Sequence, residues 1–318
     1  MSSSEKRLDP TGVRTVRLEG AHRKVSIEDF GTPLPPGASL QDLFSSLPRI
    51  LAAKDLLEVA RGIAEAARAG RRVLLGMGAH PIKVGLNPIV IDLMERGVLS
   101  GVAFNGACMV HDVEIALIGR TSEEVGEGLR DGTFGMASET ATFINAALKR
   151  GYRLGKGAGE ALGEAIWEEG LPHRDLSLFG AGHRLGVPLS VHIAIGTDVI
   201  HMHPSTDGAI TGEMTHRDFL LFAAQVAELR GGVYINLGSA VILPEVFLKA
   251  LNLARNLGHD VKDFLTVNMD FSVHYRPLRN VLERPAAEGG RGYSLVGHHE
   301  IMFPLLAAAV VEYLTKAK

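Results

Sequence analysis

Several histidines in this 318-residue chain stand at spacings that could support chemistry, and thirteen histidines occur in all. In an extended segment His201 and His203 project to one face, which is a spacing that metal sites use. With a nearby carboxylate such as Asp198, Asp270 or Glu300 they would form a three-ligand zinc site with an open position. This pattern predicts a metal-dependent hydrolase or lyase. The alternative is that neutral histidines hydrogen-bond in a polar crevice without a metal.

A second group of residues could transfer protons. His80 follows an apolar run that breaks at Gly76-Met77-Gly78-Ala79. A residue at such a corner is expected to face the ligand crevice of an open sheet, as an acid or base or as a donor to a cofactor. The other candidates for proton transfer lie near predicted helix ends and strand ends: His111, Glu245, His298 and His299.

Small polar residues and glycines follow the predicted strands. Small side chains let a nucleotide approach the backbone closely, and carboxylates can bind ribose hydroxyls. The alternative is that strand ends need Asn, Asp and Gly for turns, and that acids in a first helical turn favour the helix dipole. We predict cofactor contacts from Gly78, Asn105, Gly106, Asp112, Thr197, Asp198, Gly238, Ser239, Asn268 and Asp270.

The corner after the first strand is a partial dinucleotide-binding motif. Gly76 and Gly78 fit the pattern G-x-G, but Pro81 stands where the third glycine belongs. A tight turn between a strand and a helix, with no ligand, explains the same residues. The motif therefore agrees with nucleotide binding without requiring it.

Strand and helix patterns alternate along most of the chain. Apolar runs predict strands over residues 72–77, 101–104, 188–195, 232–237 and 264–270, with a short extended segment over 199–203. Helical periodicity predicts helices over residues 85–96, 216–230, 244–258 and 304–315, the last preceded by a long loop. The alternation predicts an α/β fold, a Rossmann-like and mostly parallel sheet with helices on both faces.

The predicted domain organisation is an N-terminal arm over residues 1–38 and a single α/β domain over residues 39–318. The arm is polar, and Pro33, Pro35 and Pro36 oppose a helix there. Helical sequence begins after it, with a break expected at Pro48.

Composition narrows the function classes. The net charge of −3 and the interspersed acids and bases give no nucleic-acid footprint. One cysteine, Cys108, excludes an internal disulfide and any multi-cysteine zinc site. No apolar run reaches membrane-spanning length, and the N-terminus lacks the apolar core of a signal peptide, so we expect a cytoplasmic protein that acts on a small molecule.

Several segments, in this order, resemble the deoxyhypusine synthase family. Gly78-Ala79-His80 stands at the family's threonine-serine-asparagine corner, and residues 105–114 resemble a strand end followed by an acidic helix start. Thr197-Asp198 is similar to a threonine-aspartate-glycine stretch, with Thr206-Asp207-Gly208 as the alternative match, and residues 237–241 are similar to a glycine-rich strand end. Residues 298–306, with Phe303-Pro304-Leu305-Leu306, resemble the family's closing motif.

The resemblance implies a Rossmann-like subunit that binds NAD and forms a homo-oligomer, usually a tetramer. Family members use NAD to oxidise spermidine and pass its aminobutyl group to an enzyme lysine and then to a protein lysine. That lysine lies in a tryptophan-glycine-lysine motif before the last helix, whereas here the only tryptophan is Trp167 and residues 272–300 contain no lysine. An imine intermediate needs an amine nucleophile, so deoxyhypusine synthesis itself is not expected.

Three functions remain open on the sequence alone. The first is an NAD-dependent transferase or oxidoreductase acting on a small molecule. The second is the metal-dependent enzyme that uses His201 and His203. The third is a noncatalytic nucleotide-binding oligomer, which would explain the missing lysine without new chemistry.

Overall fold

A computed structural model describes residues 7–315 of the chain. Six parallel strands form one open sheet in the order β3-β2-β1-β4-β5-β6. The strands are β1 Val73–Met77, β2 Gly101–Asn105, β3 Leu189–His192, β4 Val233–Leu237, β5 Leu265–Asp270 and β6 Arg291–Val296. The order reverses between β1 and β4, as in a doubly wound sheet. The predicted α/β, Rossmann-like fold class is confirmed.

Helices cover both faces of the sheet, and this explains why the central strands are apolar throughout. Every residue of β1 and β4 is buried, as expected for parallel strands packed on both sides. The helices are α1 Leu40–Ser46, α2 Leu51–Arg68, α3 His80–Lys83, α4 Asn87–Glu95, α5 Gly106–Ile118, α6 Val125–Asp131, α7 Ser138–Arg153, α8 Ala158–Glu168, α9 Leu178–Leu185, α10 Gly208–Ala227, α11 Ile242–Asn256, α12 Tyr275–Pro277, α13 Arg284–Ala286 and α14 His299–Thr315. A π-helical stretch, Leu278–Glu283, joins α12 to α13.

Aromatic side chains fill the core beneath β4. Tyr234 stacks on Phe247 with ring centroids 3.8 Å apart, and Phe222 and Phe264 pack at the edges of this pair. All four rings are buried, and each contributes about 2 kcal/mol by its removal from water. This core fixes α10 and α11 on the sheet and so fixes the loops at its carboxyl edge.

The strands end at one level because their registers match. Met77 of β1 pairs with Leu237 of β4, and Asn105 of β2 pairs with His192 of β3. On the other side, Asp270 of β5 pairs with Val296 of β6. The polar residues that follow these strands therefore lie along a common edge, as the sequence predicted.

Some predicted boundaries are wrong. Helix α10 begins at Gly208 instead of residue 216, because Asp207 accepts hydrogen bonds from the backbone of Ala209 and Ile210 and caps it. Strand β6 lies within the predicted long loop, and α14 begins at His299 with Pro304 inside it. The predicted extended segment 199–203 is a 3-10 turn over Val199–Met202.

Contacts divide the chain into two compact units, one ending at Ile50 and one beginning at Leu51. The first contains three 3-10 turns and α1, and its backbone is tied together by a hydrogen bond from Thr32 N to Ser46 O of 2.9 Å. The predicted boundary at residue 38 stays a prediction, and residues 1–6 of the predicted arm lie outside the described residues. Across residues 7–315, no helix is long and apolar enough to cross a membrane.

Candidate functional site

The loops that follow β1 and β4 approach each other closely at the carboxyl edge of the sheet, where the strand order reverses. Gly78, just after β1, donates a backbone hydrogen bond of 3.0 Å to Leu237 O of β4. A Cβ atom on Gly78 would lie 2.2 Å from Gly238 O, so a larger residue would force the two loops apart. The residue at the third glycine position, Pro81, is instead part of the short helix α3.

Three aromatic rings meet beside this point. The ring of His80 lies 5.2 Å from that of His299 and 5.7 Å from that of Phe271, measured between centroids. His299 Nε2 lies 3.9 Å from Asp270 Oδ1 at the end of β5. We call His80, Asp270, Phe271 and His299 the imidazole cluster. It brings together three of the predicted site residues from three different segments.

The imidazole cluster places a buried imidazole behind an exposed one. His299 is 1% exposed, whereas the ring of His80 lies in front of it and is exposed to solvent. Burial lowers the pKa of His299, although the charge of Asp270 opposes this effect. A neutral imidazole next to a carboxylate is able to accept a proton at neutral pH.

Two of the predicted catalytic residues lie apart from these rings. His298 is 73% exposed in its side chain and faces Glu300. Glu245 accepts a hydrogen bond from Asn280 and forms ion pairs with Lys249 and Arg276. The hydrogen bond from Lys249 is the largest of the effects that lower the pKa of Glu245. Glu245 is therefore held ionised as an acceptor, which does not suit it to donate a proton.

A second polar region lies at the end of β2. Asn105 caps α5 by accepting a hydrogen bond from Cys108 N of 3.3 Å. The next residue, Gly106, faces Asp198 so closely that a Cβ atom would lie 1.9 Å from Asp198 Oδ2. Asp198 is 8% exposed, Oδ2 has no hydrogen-bond partner within the described residues, and burial raises its pKa to about 6. The predicted residues Asn105, Gly106 and Asp198 thus lie together.

His111 of α5 takes part in a hydrogen-bonded chain. Its Nδ1 lies 2.6 Å from Thr121 Oγ1, and that hydroxyl donates its hydrogen to Glu114 Oε2 at 2.5 Å. Because the hydroxyl has only one hydrogen, it accepts from His111 Nδ1, and the lone pair of the neutral ring is on Nε2. Burial, assisted by the charge of Lys83, lowers the pKa of His111 to about 4. The ring is therefore neutral at physiological pH.

Other predicted cofactor residues are used inside the fold. Asp112 is fully buried and accepts hydrogen bonds from Ser177, Asn87 and the backbone at the start of α9, so its oxygens hold that helix. Asn268 lies within β5 and accepts from the side chain of Asn236. Both carboxylate oxygens of Asp112 are therefore occupied by hydrogen bonds within the fold.

The remaining predicted residues lie in the loops of the carboxyl edge. Ser239 Oγ accepts from Leu243 N in the first turn of α11, while Gly238 has a positive φ of 65° and lies against the ring of His299. Thr197 is exposed and donates to Ala194 O. Gly238 and Thr197 are thus positioned to meet a ligand, and their predicted role in cofactor binding stays a prediction.

The histidines of the predicted metal site face different partners. Nδ1 of His201 accepts from the backbone of Gly196 and Asp198, whereas Nδ1 of His203 pairs with Ser205 Oγ at 2.8 Å. His201 belongs to a 3-10 turn that ends at Met202, and His203 follows that turn, so the two residues do not alternate as they would in an extended strand. Across residues 7–315, no group of three His, Cys, Asp or Glu side chains is arranged to hold a metal ion.

Sequence reasoning did not select two residues of the region around His111. Thr121 lies beyond the end of α5 and returns to it through Gly119, whose φ of 68° ends the helix. Lys83 could be interpreted from the sequence as a contact for a phosphate or a substrate carboxylate, or as a solvated lysine of an early helical turn, and it was not selected as a site residue. The i, i+3 spacing of His111 and Glu114 was the one signal that could have indicated the hydrogen-bonded chain.

No family model and no curated protein matches this chain. Solved structures do share its fold. A protein of Methanococcus maripaludis S2 assigned as LOR/SDH is 15% identical, with 83% of this chain and 70% of that chain covered and a TM-score of 0.54. AgrE, solved as a ternary complex with ornithine and NAD+, is 15% identical, with 86% of this chain and 35% of that chain covered and a TM-score of 0.53.

A protein of Entamoeba histolytica assigned as a deoxyhypusine synthase is 10% identical, with 89% of this chain and 96% of that chain covered and a TM-score of 0.53. The structural resemblance to deoxyhypusine synthase is therefore confirmed. At these identities the similarity establishes the fold alone. The chain spans about a third of the length of AgrE, since it covers 35% of it.

Proposed function

We propose that this protein is an NAD-binding enzyme, a transferase or oxidoreductase that acts on a small molecule. The observation that carries the proposal is the reversal of strand order between β1 and β4, with glycines 78 and 238 in close contact beyond the strand ends. Dinucleotides bind doubly wound sheets at this point. The fold is shared with AgrE, which was solved with NAD+ bound, and this supports the same choice of cofactor.

The imidazole cluster would supply the acid and base of such an enzyme. NAD carries the hydride when it is bound, and the protein must remove a proton from the substrate in the same step. His80 is exposed at the crevice, and His299 and Asp270 lie behind it. His80 would accept the proton, while the buried pair stabilises the resulting positive charge.

Deoxyhypusine synthesis is not part of this proposal. Residues 272–300 contain no lysine, so the segment before α14 offers no amine for an imine intermediate. The zinc alternative is not carried further, because no described cluster of ligands supports it. A noncatalytic nucleotide-binding protein remains the alternative to an enzyme, and turnover distinguishes the two.

The proposed assembly is a homo-oligomer, with a tetramer expected from the family resemblance. Large apolar side chains are exposed beyond the ends of β5 and β6: Phe271 at 53%, Val273 at 60%, Tyr275 at 66% and Ile301 at 62%. An apolar surface of this kind is typical of protein contacts. Light scattering of the purified protein tests this proposal. A Val273→Lys/Ile301→Lys variant should form an assembly of lower molar mass than the parent protein.

Calorimetric titration with NAD+ tests the cofactor. Val241 and Leu257 flank α11 at its two ends, are 49% and 67% exposed, and give a matched pair of variants. Val241→Glu adds a negative charge at the carboxyl edge and should weaken NAD+ binding about fivefold through repulsion of the pyrophosphate. Leu257→Glu adds the same charge at the far end of the helix and should not. Equal affinities, or no binding to the parent protein, would overturn the proposal.

Formation of NADH with panels of amines and alcohols then tests for an enzyme. In the proposed mechanism His80→Ala lowers turnover about a hundredfold while NAD+ binding is kept. His298→Ala, one residue from the imidazole cluster and exposed, is the control. Binding of NAD+ without turnover of any substrate would instead favour the noncatalytic alternative.

A further inference from the structure

A partly open cavity lies between α3, α5 and the loop after β3. It has a volume of about 140 Å³. We call its polar lining residues the polar wall: Lys83, His111, Glu114, Ser122, Glu123, Thr197 and Asp198. We call its apolar lining residues the apolar wall: Ala107, Val110, Val125, Phe134 and Val199. A separate cleft of about 670 Å³ shares Glu114, Ser122 and Glu123 with it and leads outwards between α5 and α7. Thr197 and Asp198 were also predicted from the sequence as cofactor contacts, but the NAD proposal rests on the strand reversal beside Gly78 and Gly238.

Two charged groups on the polar wall lack a partner of opposite charge. Lys83 is exposed and forms no salt bridge with a carboxylate of the described residues, and its charge contributes to the lowered pKa of His111. Asp198 is 8% exposed, and its Oδ2 accepts no hydrogen bond within the described part of the chain. A buried polar group without a partner costs free energy, so Oδ2 of Asp198 marks a contact that a ligand would complete.

His111 adds a second acceptor. The chain from His111 through Thr121 to Glu114 keeps the proton on Nδ1, so Nε2 presents a lone pair. Nε2 makes no hydrogen bond to a described residue, and the ring lines the cavity. The carboxylates of Glu114 and Glu123 already accept hydrogen bonds from Thr121 and Gly135, so the polar wall offers the cation of Lys83 and two acceptors without a partner. A ligand that satisfies all three has a carboxylate for Lys83 and a hydrogen-bond donor beside it.

The apolar wall and the volume set the rest of the ligand. A water-sized sphere takes up about 15 Å³, so the cavity accepts roughly ten non-hydrogen atoms. Val125, Phe134 and Val199 would cover an aliphatic group of about four carbons, which the hydrophobic effect favours.

We infer that this cavity binds a small aliphatic carboxylic acid that carries an ammonium or hydroxyl group on the carbon next to the carboxylate. Lys83 holds the carboxylate, and His111 Nε2 with Asp198 Oδ2 accepts the hydrogen bonds of the donor group. The inference does not rest on the proposed NAD site, because binding is measured without cofactor.

Calorimetry with three matched acids tests it. They are 4-methylpentanoate, 2-hydroxy-4-methylpentanoate and leucine, which differ only in having a hydrogen, a hydroxyl or an ammonium group next to the carboxylate. One of the two donor-bearing acids should bind about tenfold more tightly than 4-methylpentanoate. Leucine as the tightest ligand identifies an ammonium group, and the hydroxy acid a hydroxyl group. Absence of binding by all three, or equal affinities, would overturn the inference.

Variants of charged residues complete the test. Lys83→Met should lower the affinity for the tightest-binding acid about tenfold. Lys54→Met is the control and should leave this affinity unchanged, because Lys54 is an exposed residue of α2 that pairs with Glu58. Asp198→Asn should reduce the preference for the donor-bearing acid over 4-methylpentanoate. Thermal melting establishes that each variant is folded. Equal behaviour of the two lysine variants would show that Lys83 does not hold the carboxylate.

Discussion

The carboxylate of Asp198 occupies the space that a side chain on Gly106 would need, with 1.9 Å between its Oδ2 and the Cβ position. The loop after β3 and the first residue of α5 are therefore fitted to each other. The fit explains a glycine at a helix position where alanine is otherwise preferred. It also holds the unpartnered oxygen of Asp198 at the start of α5, where the helix dipole favours a negative charge.

Replacement of Gly106 by alanine should displace Asp198, because the new methyl group cannot share this space. The affinity for the tightest-binding carboxylic acid should then fall about fivefold. Gly208→Ala is the matched control, since Gly208 is also the first residue of a helix and has no atom within 4 Å of its Cβ position. Calorimetry measures both variants. Unchanged binding by Gly106→Ala would separate Asp198 from the ligand.

Thr121→Val should allow His111 to adopt both neutral tautomers. Valine keeps the shape of the threonine side chain but lacks its hydroxyl. Without the hydroxyl, Nδ1 loses the acceptor that keeps its proton, and both neutral tautomers become populated. Nitrogen NMR of the histidine rings measures this directly, and we expect acid binding to fall about threefold. Thr140→Val is the control, because Thr140 contacts the same Glu114 at the longer distance of 3.5 Å. A single tautomer in Thr121→Val would contradict the role of the hydroxyl.

Gly135→Ala should disturb Val199, the lining residue that we call the roof of the cavity. Gly135 has a φ of 74°, and a Cβ atom there would lie 2.6 Å from Val199. The control is Gly132→Ala, since Gly132 has a φ of 81° but no atom within 4 Å of its Cβ position. Each variant should lose about 1 kcal/mol of unfolding free energy from backbone strain. Only Gly135→Ala should also weaken acid binding, and equal binding by the two would place the roof outside the site.

Asp218→Asn should change how stability depends on pH. Asp218 is buried and accepts from the backbone of Gly159 and Val191, and burial raises its pKa from 3.8 to about 7. Between these values the folded state holds a proton that the unfolded state has lost, so this carboxyl lowers the unfolding free energy as pH rises. Relative to the parent protein, the variant should gain about 2 kcal/mol between pH 5 and pH 8.

Urea unfolding at the two pH values measures this gain. Asp260→Asn, an exposed aspartate paired with Arg230, serves as the control and should show almost no change. A constant difference between Asp218→Asn and the parent protein would mean that Asp218 is ionised throughout this range.

Much of the fold was predictable because its central strands are buried on both faces. A strand such as β4 has to be apolar at every position, and this leaves a clear run in the sequence. Strand β6 has a mostly exposed pattern at the sheet edge, so its sequence resembles a loop. Helix α10 was predicted too short because its cap, Asp207, was read as part of a polar loop.

The sequence by itself determined the α/β alternation and the collection of His80, Asn105, Asp198 and Asp270 at one edge, because parallel strands bring their ends together. Only the tertiary structure decided which side chains meet. His80 contacts His299, and Thr121 connects His111 to Glu114, through loops whose paths no local pattern encodes. The same packing turned Asp112 inward to hold α9, since the bonds of a side chain depend on what the fold places beside it.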